Sequence, residues 1–160
     1  MDRSLTVAAR SNGIEMTTIE LPNSEWEKIR QHGSRDYPNE CCGFLLGAET
    51  DGRKRVAEAW PAPNSRHDSP RNRFLITAED WREGEKYSTE KKLDILGFYH
   101  SHPDHPARPS EYDREHAWPW MSYIILSVQQ REPAAMTSWV LTEDRSKFEE
   151  ETVEICQPKS

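Results

Sequence analysis

The stretch Ile95-Leu-Gly-Phe-Tyr-His-Ser-His-Pro-Asp-His-Pro-Ala-Arg-Pro-Ser-Glu-Tyr-Asp113 runs from an apolar segment straight into a cluster of imidazoles and carboxylates. Ile95–Tyr99 reads as a buried strand. In extended backbone, residues i and i+2 point to the same side, so His100 and His102 can hold one ion between them. Asp113, eleven positions after His102, can close the set as a third ligand and leave a fourth position for water. Three protein ligands with one open position is the pattern of a catalytic zinc, whereas structural zinc is enclosed by four ligands, mostly thiolates. The same residues carry a structural reading. Ser110-Glu-Tyr-Asp113 is a capping box, with Ser110 as N-cap and Asp113 reaching back from the first turn. The two readings are compatible, because a helix start presents a carboxylate in a fixed place.

A second segment lies far upstream, Tyr37-Pro-Asn-Glu-Cys-Cys-Gly-Phe-Leu-Leu-Gly47. Glu40 stands directly before an apolar run, at the mouth of an expected central strand Cys41–Leu46. It reads either as a solvated loop carboxylate or as a general base beside a metal-activated water.

Together, Glu40, His100-Ser101-His102-Pro103 and Ser110-Glu-Tyr-Asp113 fill every position of a known signature. The chain resembles the JAMM/MPN+ zinc metalloprotease family, whose pattern is an upstream Glu, H-[ST]-H-P and S-x-x-D. The likeness runs from about Met16 to about Ile155 and is greatest to the short bacterial members that act on ubiquitin-like sulfur-carrier proteins. It implies a cytidine-deaminase-like fold, with Zn²⁺ on His100, His102 and Asp113 and Glu40 as proton shuttle. It further implies Ser110 as donor to the oxyanion, so that its hydroxyl must choose between that task and the cap. Ser101 is expected to brace the loop. The implied partner is a ubiquitin-like carrier with a Gly-Gly tail, the cut falling just after that tail. The chain is short between Gly47 and His100 and again after Asp113, where deubiquitinating relatives carry insertions. A sulfur-carrier role is therefore expected ahead of deubiquitinase-like cleavage of other conjugates.

The length of 160 residues suits one domain, expected over residues 14–156 between short tails at 1–13 and 157–160. Leu, Ile, Val and Phe number only 26, yet they gather in strand-length runs, and six Trp with five Tyr add large buried area. The chain should therefore fold. A net charge of −7 with no Lys/Arg stripe argues against nucleic acid, and no segment has membrane-spanning length. Met1–Gly13 lacks the apolar core of a signal peptide. Three cysteines form no disulfide framework; at least one of Cys41 and Cys42 reads as an inert, buried thiol and Cys156 is unassigned, which suits a reducing, cytoplasmic setting.

The expected fold class is α/β, one curved and mostly antiparallel sheet flanked by two or three helices. A first strand is expected at Ile14–Leu21 and a helix from Pro22-Asn-Ser-Glu, with Trp26, Ile29 and His32 on its apolar face and Gly33 as its end. Val56–Trp60 reads as an edge strand reached through the turn Thr50-Asp-Gly-Arg53. Pro61–Asn72 reads as a loop and Arg73–Ile76 as a short strand. Thr77–Lys92 reads as a helix capped by Thr77, with a further helix at Ser110–Ala117. Closing strands are expected at Tyr123–Val128, Met136–Leu141 and Phe148–Ile155.

Among the other histidines, His105 reads as a rim residue and His116, one turn after Asp113, as a group that orients it; His32 and His67 carry no motif. Trp118-Pro-Trp120 reads as core packing. Two further functional classes remain to be separated. A non-catalytic scaffold of the same fold would be expected to lack the ligands, and a zinc nucleoside deaminase would need H-x-E and P-C-x-x-C, which do not occur here.

Overall fold

The apolar run before the histidines does form a strand, and that strand continues through both of them: β4 spans Asp94–Pro103. Residues 17–62 and 76–157 are described in this computed structural model of the chain. The other strands are β1 (Thr18–Pro22), β2 (Cys42–Thr50), β3 (Arg53–Pro61), β5 (Ser122–Gln129), β6 (Glu132–Leu141) and β7 (Phe148–Cys156). Three helices accompany them, α1 (Asn23–Asp36), α2 (Ala78–Lys91) and α3 (Glu111–His116). The expected tail at 1–13, residues 14–16 of the first strand, most of the Pro61–Asn72 loop with His67, residues 73–75 and the last three residues lie outside the described residues. No described helix is long and apolar enough to cross a membrane.

The α/β class holds, but the sheet is not an open one. Its strands run in the order β1-β3-β2-β4-β5-β6-β7, and β7 returns to β1 to close a barrel. The β1–β3, β1–β7 and β4–β5 pairings are parallel and the other four antiparallel, so the sheet is mixed. Closure also corrects the expected edge strand. β3 lies between β1 and β2, with a partner on each side. The turn feeding it is as expected, with Asp51 and Gly52 at φ 55° and 77°; two consecutive positive φ values are what a tight hairpin matched to strand twist requires.

Strands β2, β4 and β5 are nearly continuous apolar runs because both of their faces are covered. Leu45, Tyr99, Ile124 and Leu126 face inward and pack with Ile29 of α1. Phe44, Leu46, Phe98 and Tyr123 face outward into a second cluster with Trp81 and Tyr87 of α2. Helix α1 touches β1, β3, β4, β5, β6 and β7, as a helix laid across the hollow of the ring must. It does not stop at Gly33 but continues to Asp36. Gly33 is a packing residue: a Cβ there would come within 2.7 Å of Leu126 and 3.1 Å of Val128, so its lack of side chain lets the helix sit low on β5.

Helix α2 begins as expected, the Thr77 hydroxyl accepting a hydrogen bond from the Asp80 amide at 3.0 Å. The α3 start matches expectation as well: the Ser110 hydroxyl accepts from the Asp113 amide at 3.0 Å, and the Ser110 amide donates to the Asp113 carboxylate at 2.8 Å.

Where β4 meets β5, Gly97 leaves no space at all. A Cβ would lie 1.9 Å from the Ser122 carbonyl oxygen and 2.7 Å from its amide nitrogen, both rigid backbone. Replacing Gly97 with Ala must push the two strands apart just below the histidines. We expect a loss of about 2–4 kcal/mol in unfolding free energy, read by denaturant titration. A loss under about 0.5 kcal/mol would contradict this packing.

Candidate metal centre and active site

His100 and His102 stand on the outward face of β4, one register step apart beside Ile125 and Ser127 of β5. The intervening Ser101 faces the other way, where its hydroxyl accepts a hydrogen bond from the Cys41 amide at 2.9 Å and its amide donates to the Cys41 carbonyl at 3.1 Å. This clamp holds the residue next to Glu40 against the histidine strand. Ser101 is thus a brace, as expected.

The imidazoles converge with the α3 carboxylate. His100 Nε2 lies 3.2 Å from His102 Nε2 and 3.4 Å from Asp113 Oδ1, and His102 Nε2 lies 3.3 Å from Asp113 Oδ2. Donors held about 2.0–2.1 Å from a tetrahedral zinc would stand about 3.3–3.4 Å apart. The two imidazole nitrogens stand close to that spacing, each with a different Asp113 oxygen at a similar distance. Taking one ligand atom from each residue, all three lie within 4.8 Å of one another, a set that could hold such an ion. The donor chemistry fits too. His102 Nδ1 sits 2.9 Å from the Pro106 carbonyl, which can only accept, so Nδ1 carries the hydrogen and Nε2 offers its lone pair. Burial lowers the His100 pKa against the pull of Asp113, which favours the neutral, ligating imidazole.

The two carboxylates are driven apart in pKa. Burial pushes Asp113 upward, but the His100 charge interaction and hydrogen bonds from His100, His102 and the Ser110 amide outweigh it and hold the group far below the usual carboxylate range. Glu40, 7% exposed, is pushed up to about 9 by burial and then by the neighbouring Asp113 charge. A cation between them would relieve that repulsion and restore Glu40 to service as a base.

Ser110 does not face the choice expected of it. At the cap its oxygen accepts, which leaves its O–H free to donate to another group. Glu40, Ser110, His102 and Asp113 line one cavity of about 340 Å³, whose rim carries the exposed His105, again as expected. Arg108 lines it as well, and no motif marked it. On the other side of His100 and Asp113 a cavity of about 400 Å³ is walled by Tyr112, His116, Trp118 and Tyr123.

Several expectations need correction here. His116 does not orient Asp113: its Nδ1 bonds the Tyr112 carbonyl at 2.9 Å and its ring stacks on Tyr112 at 4.0 Å. Trp118 and Trp120 are not core residues, being 47% and 71% exposed, although Trp118 packs edge-on against Trp81. Other expectations are met: His32 is buried on the inner face of its helix, with the Tyr99 hydroxyl at 2.7 Å. Cys41 and Cys42 are both buried, and burial pushes the Cys41 thiol up to about 12 and that of Cys42 higher still. Neither supplies a thiolate at neutral pH.

Comparison with known proteins gives the family. The family described as prokaryotic homologs of the JAB domain matches residues 22–142. A desampylase of Haloferax volcanii is 36% identical over 103 residues, covering 64% of this chain and 72% of its own. A probable TtuB-protein conjugate cleaving protease of Thermus thermophilus is 31% identical over 113 residues, covering 71% of this chain and 72% of its own. A solution structure from Desulfitobacterium hafniense superposes with TM-score 0.77 at 29% identity, covering 88% of this chain and 94% of that one.

The raised Glu40 pKa has a consequence for the metal-free protein. Between the ordinary value of 4.5 and about 9, the folded state keeps a proton that the unfolded state releases. Stability from this group is therefore fully present below pH 4.5 and is lost as pH rises through about 9. Glu40→Gln, which mimics the neutral acid, should match the metal-free wild type at pH 4 and exceed it increasingly toward pH 9 in thermal midpoint. Midpoints that run parallel across this range would contradict the assignment.

Proposed function

Because the chain belongs to the prokaryotic JAB-domain family, we propose that it is a zinc-dependent peptidase or isopeptidase cutting after the C-terminal Gly-Gly of a ubiquitin-like sulfur-carrier protein. The observation that carries the reading is the meeting of two imidazole nitrogens and one carboxylate at 3.2–3.4 Å, beside a buried glutamate. A non-catalytic scaffold would be expected to lack such a ligand set, which favours the enzyme reading. The relatives support a conjugate substrate, since one is called a desampylase and the other is described as cleaving TtuB-protein conjugates. The free cysteines keep the reading in the reducing, cytoplasmic setting expected from the sequence.

His100, His102 and Asp113 would hold the metal. Bound there, zinc supplies a Lewis acid and a water of lowered pKa. The chain's own groups do the rest. A Glu40 carboxylate oxygen takes a proton from the attacking water and passes it to the departing nitrogen. The Ser110 O–H donates to the oxyanion that forms on the attacked carbonyl. Pro106 keeps His102 in one tautomer, and the Ser101 clamp keeps Glu40 in reach.

The test uses zinc-loaded protein and a carrier with an adduct beyond its Gly-Gly tail, followed by mass spectrometry. Glu40→Gln should keep its zinc and lose about 10²–10⁴ in rate. Ser110→Ala should lose about 10²–10³. A chelator should abolish cleavage. Hydrolysis that persists in Glu40→Gln, or in metal-free protein, would overturn the reading.

A further inference from the structure

Glu40 stands on the short segment between α1 and β2, and a side-chain hydrogen bond flanks it on each side. The Ser101 hydroxyl holds Cys41, the residue just after Glu40. Three residues before Glu40, the Tyr37 hydroxyl donates to the Asp104 carboxylate at 2.6 Å. Ser101 and Asp104 stand one residue before and two residues after His102. The Glu40 segment is therefore fastened at both ends to the stretch of chain that carries a metal ligand. The segment's own backbone does not supply this tie. The Tyr37 amide donates to the Gly33 carbonyl at 3.1 Å and the Asn39 amide to the Asp36 carbonyl at 2.8 Å, both leading back into α1.

A hydrogen bond near the surface fixes a position only when both partners are already held, because otherwise its gain is spent on ordering them. Both are held here. The Tyr37 ring packs against the inner core cluster, and the Arg131 guanidinium lies over it at 5.5 Å. Arg131 is itself anchored to α1: its guanidinium donates to the Ser34 carbonyl at 3.0 Å, and its carbonyl accepts from the Ser34 hydroxyl at 2.8 Å. On the other partner, the second Asp104 carboxylate oxygen accepts from the Gln130 amide at 2.8 Å. The Asp104 amide donates to the Val128 carbonyl at 2.6 Å. The ionised acceptor makes the Tyr37 bond a strong one of its kind.

We propose that Tyr37 is a positioning residue: through Asp104 it holds the Glu40 segment against the loop that follows β4, so that the Glu40 carboxylate keeps its place beside the metal ligands. This rests on the hydrolase reading above and deepens it. Tyr37 lines neither cavity of the site and acts through Glu40 alone. A proton shuttle must serve the attacking water and then the departing nitrogen, and a misplacement of about 1 Å costs on the order of 10²-fold in rate. Losing one of two ties, with the Ser101 clamp still in place, should cost less than that.

The experiment compares wild type, Tyr37→Phe, Asp104→Gly and the double variant. Glycine suits position 104 because its φ is 59°, which glycine adopts at no steric cost. In the metal-free proteins, amide hydrogen exchange reads the tie itself. Tyr37→Phe should speed exchange of the Cys41 amide about three- to tenfold and leave the core amides of Ile124, Ile125 and Leu126 unchanged. The zinc-loaded proteins then act on a carrier with an adduct beyond its Gly-Gly tail. Here Tyr37→Phe should lower kcat about three- to thirtyfold, with KM and zinc retention unchanged. Once Asp104→Gly has removed the acceptor, Tyr37→Phe should cost nothing more in either measurement. Unchanged Cys41 exchange, unchanged kcat, or a kcat loss that recurs in full on the Asp104→Gly background would overturn the inference and leave the hydrolase standing. So would a loosening shared equally by the three core amides, which marks a general loss of stability. No hydrolysis by zinc-loaded wild type would overturn both.

Discussion

One carboxylate ties the structure together. Asp113 accepts from the Ser110 amide, closing the first turn of α3, and the same group faces both imidazoles of β4. A helix of six residues with no buried side chain cannot stand by its own packing. It is fixed at its start by the reciprocal cap and at its end by Arg145, which donates to the Ala117 carbonyl at 2.9 Å. Arg114 adds a bond to the Arg145 carbonyl at 2.9 Å. Ligand geometry and helix geometry are therefore one problem, and solving the second sets the first.

The barrel supplies the other half. β4 lies between β2 and β5 with both faces covered, so a one-residue slip would swap Phe98 of the outer cluster with Tyr99 of the inner one and turn both histidines to the wrong face. Burial there does opposite things to acids and bases, and the site uses both. It keeps His100 neutral and lifts Glu40, while hydrogen bonds from the two imidazoles and the Ser110 amide hold Asp113 ionised. The same burial silences Cys41 and Cys42, so thiols one strand away from the metal ligands leave the site to nitrogen and oxygen.

Much of this was legible in the residues because the signals are local. The strand period sets His100 beside His102, Ser110-x-x-Asp113 writes its own cap, Thr77 caps α2, and Asp51-Gly52 makes the hairpin turn. What escaped depends on distant parts. The ring closes through β1, which pairs with β3 on one side and β7 on the other, and Thr18–Pro22 carries nothing that marks it as the closing strand. Gly33 looks like a helix stop until Leu126 and Val128 are seen beneath it. Trp118 and Trp120 read as core by their apolar bulk, yet the core below them is already filled by Phe98, Trp81 and Tyr123.

X-ray absorption at the zinc edge of the purified, zinc-loaded chain tests the central claim most directly. A metal on His100, His102 and Asp113 gives a first shell of nitrogen and oxygen at about 2.0–2.1 Å, with the outer-shell pattern of two imidazoles and no sulfur. A sulfur shell at about 2.3 Å, or failure of the chain to retain zinc at all, would contradict the account.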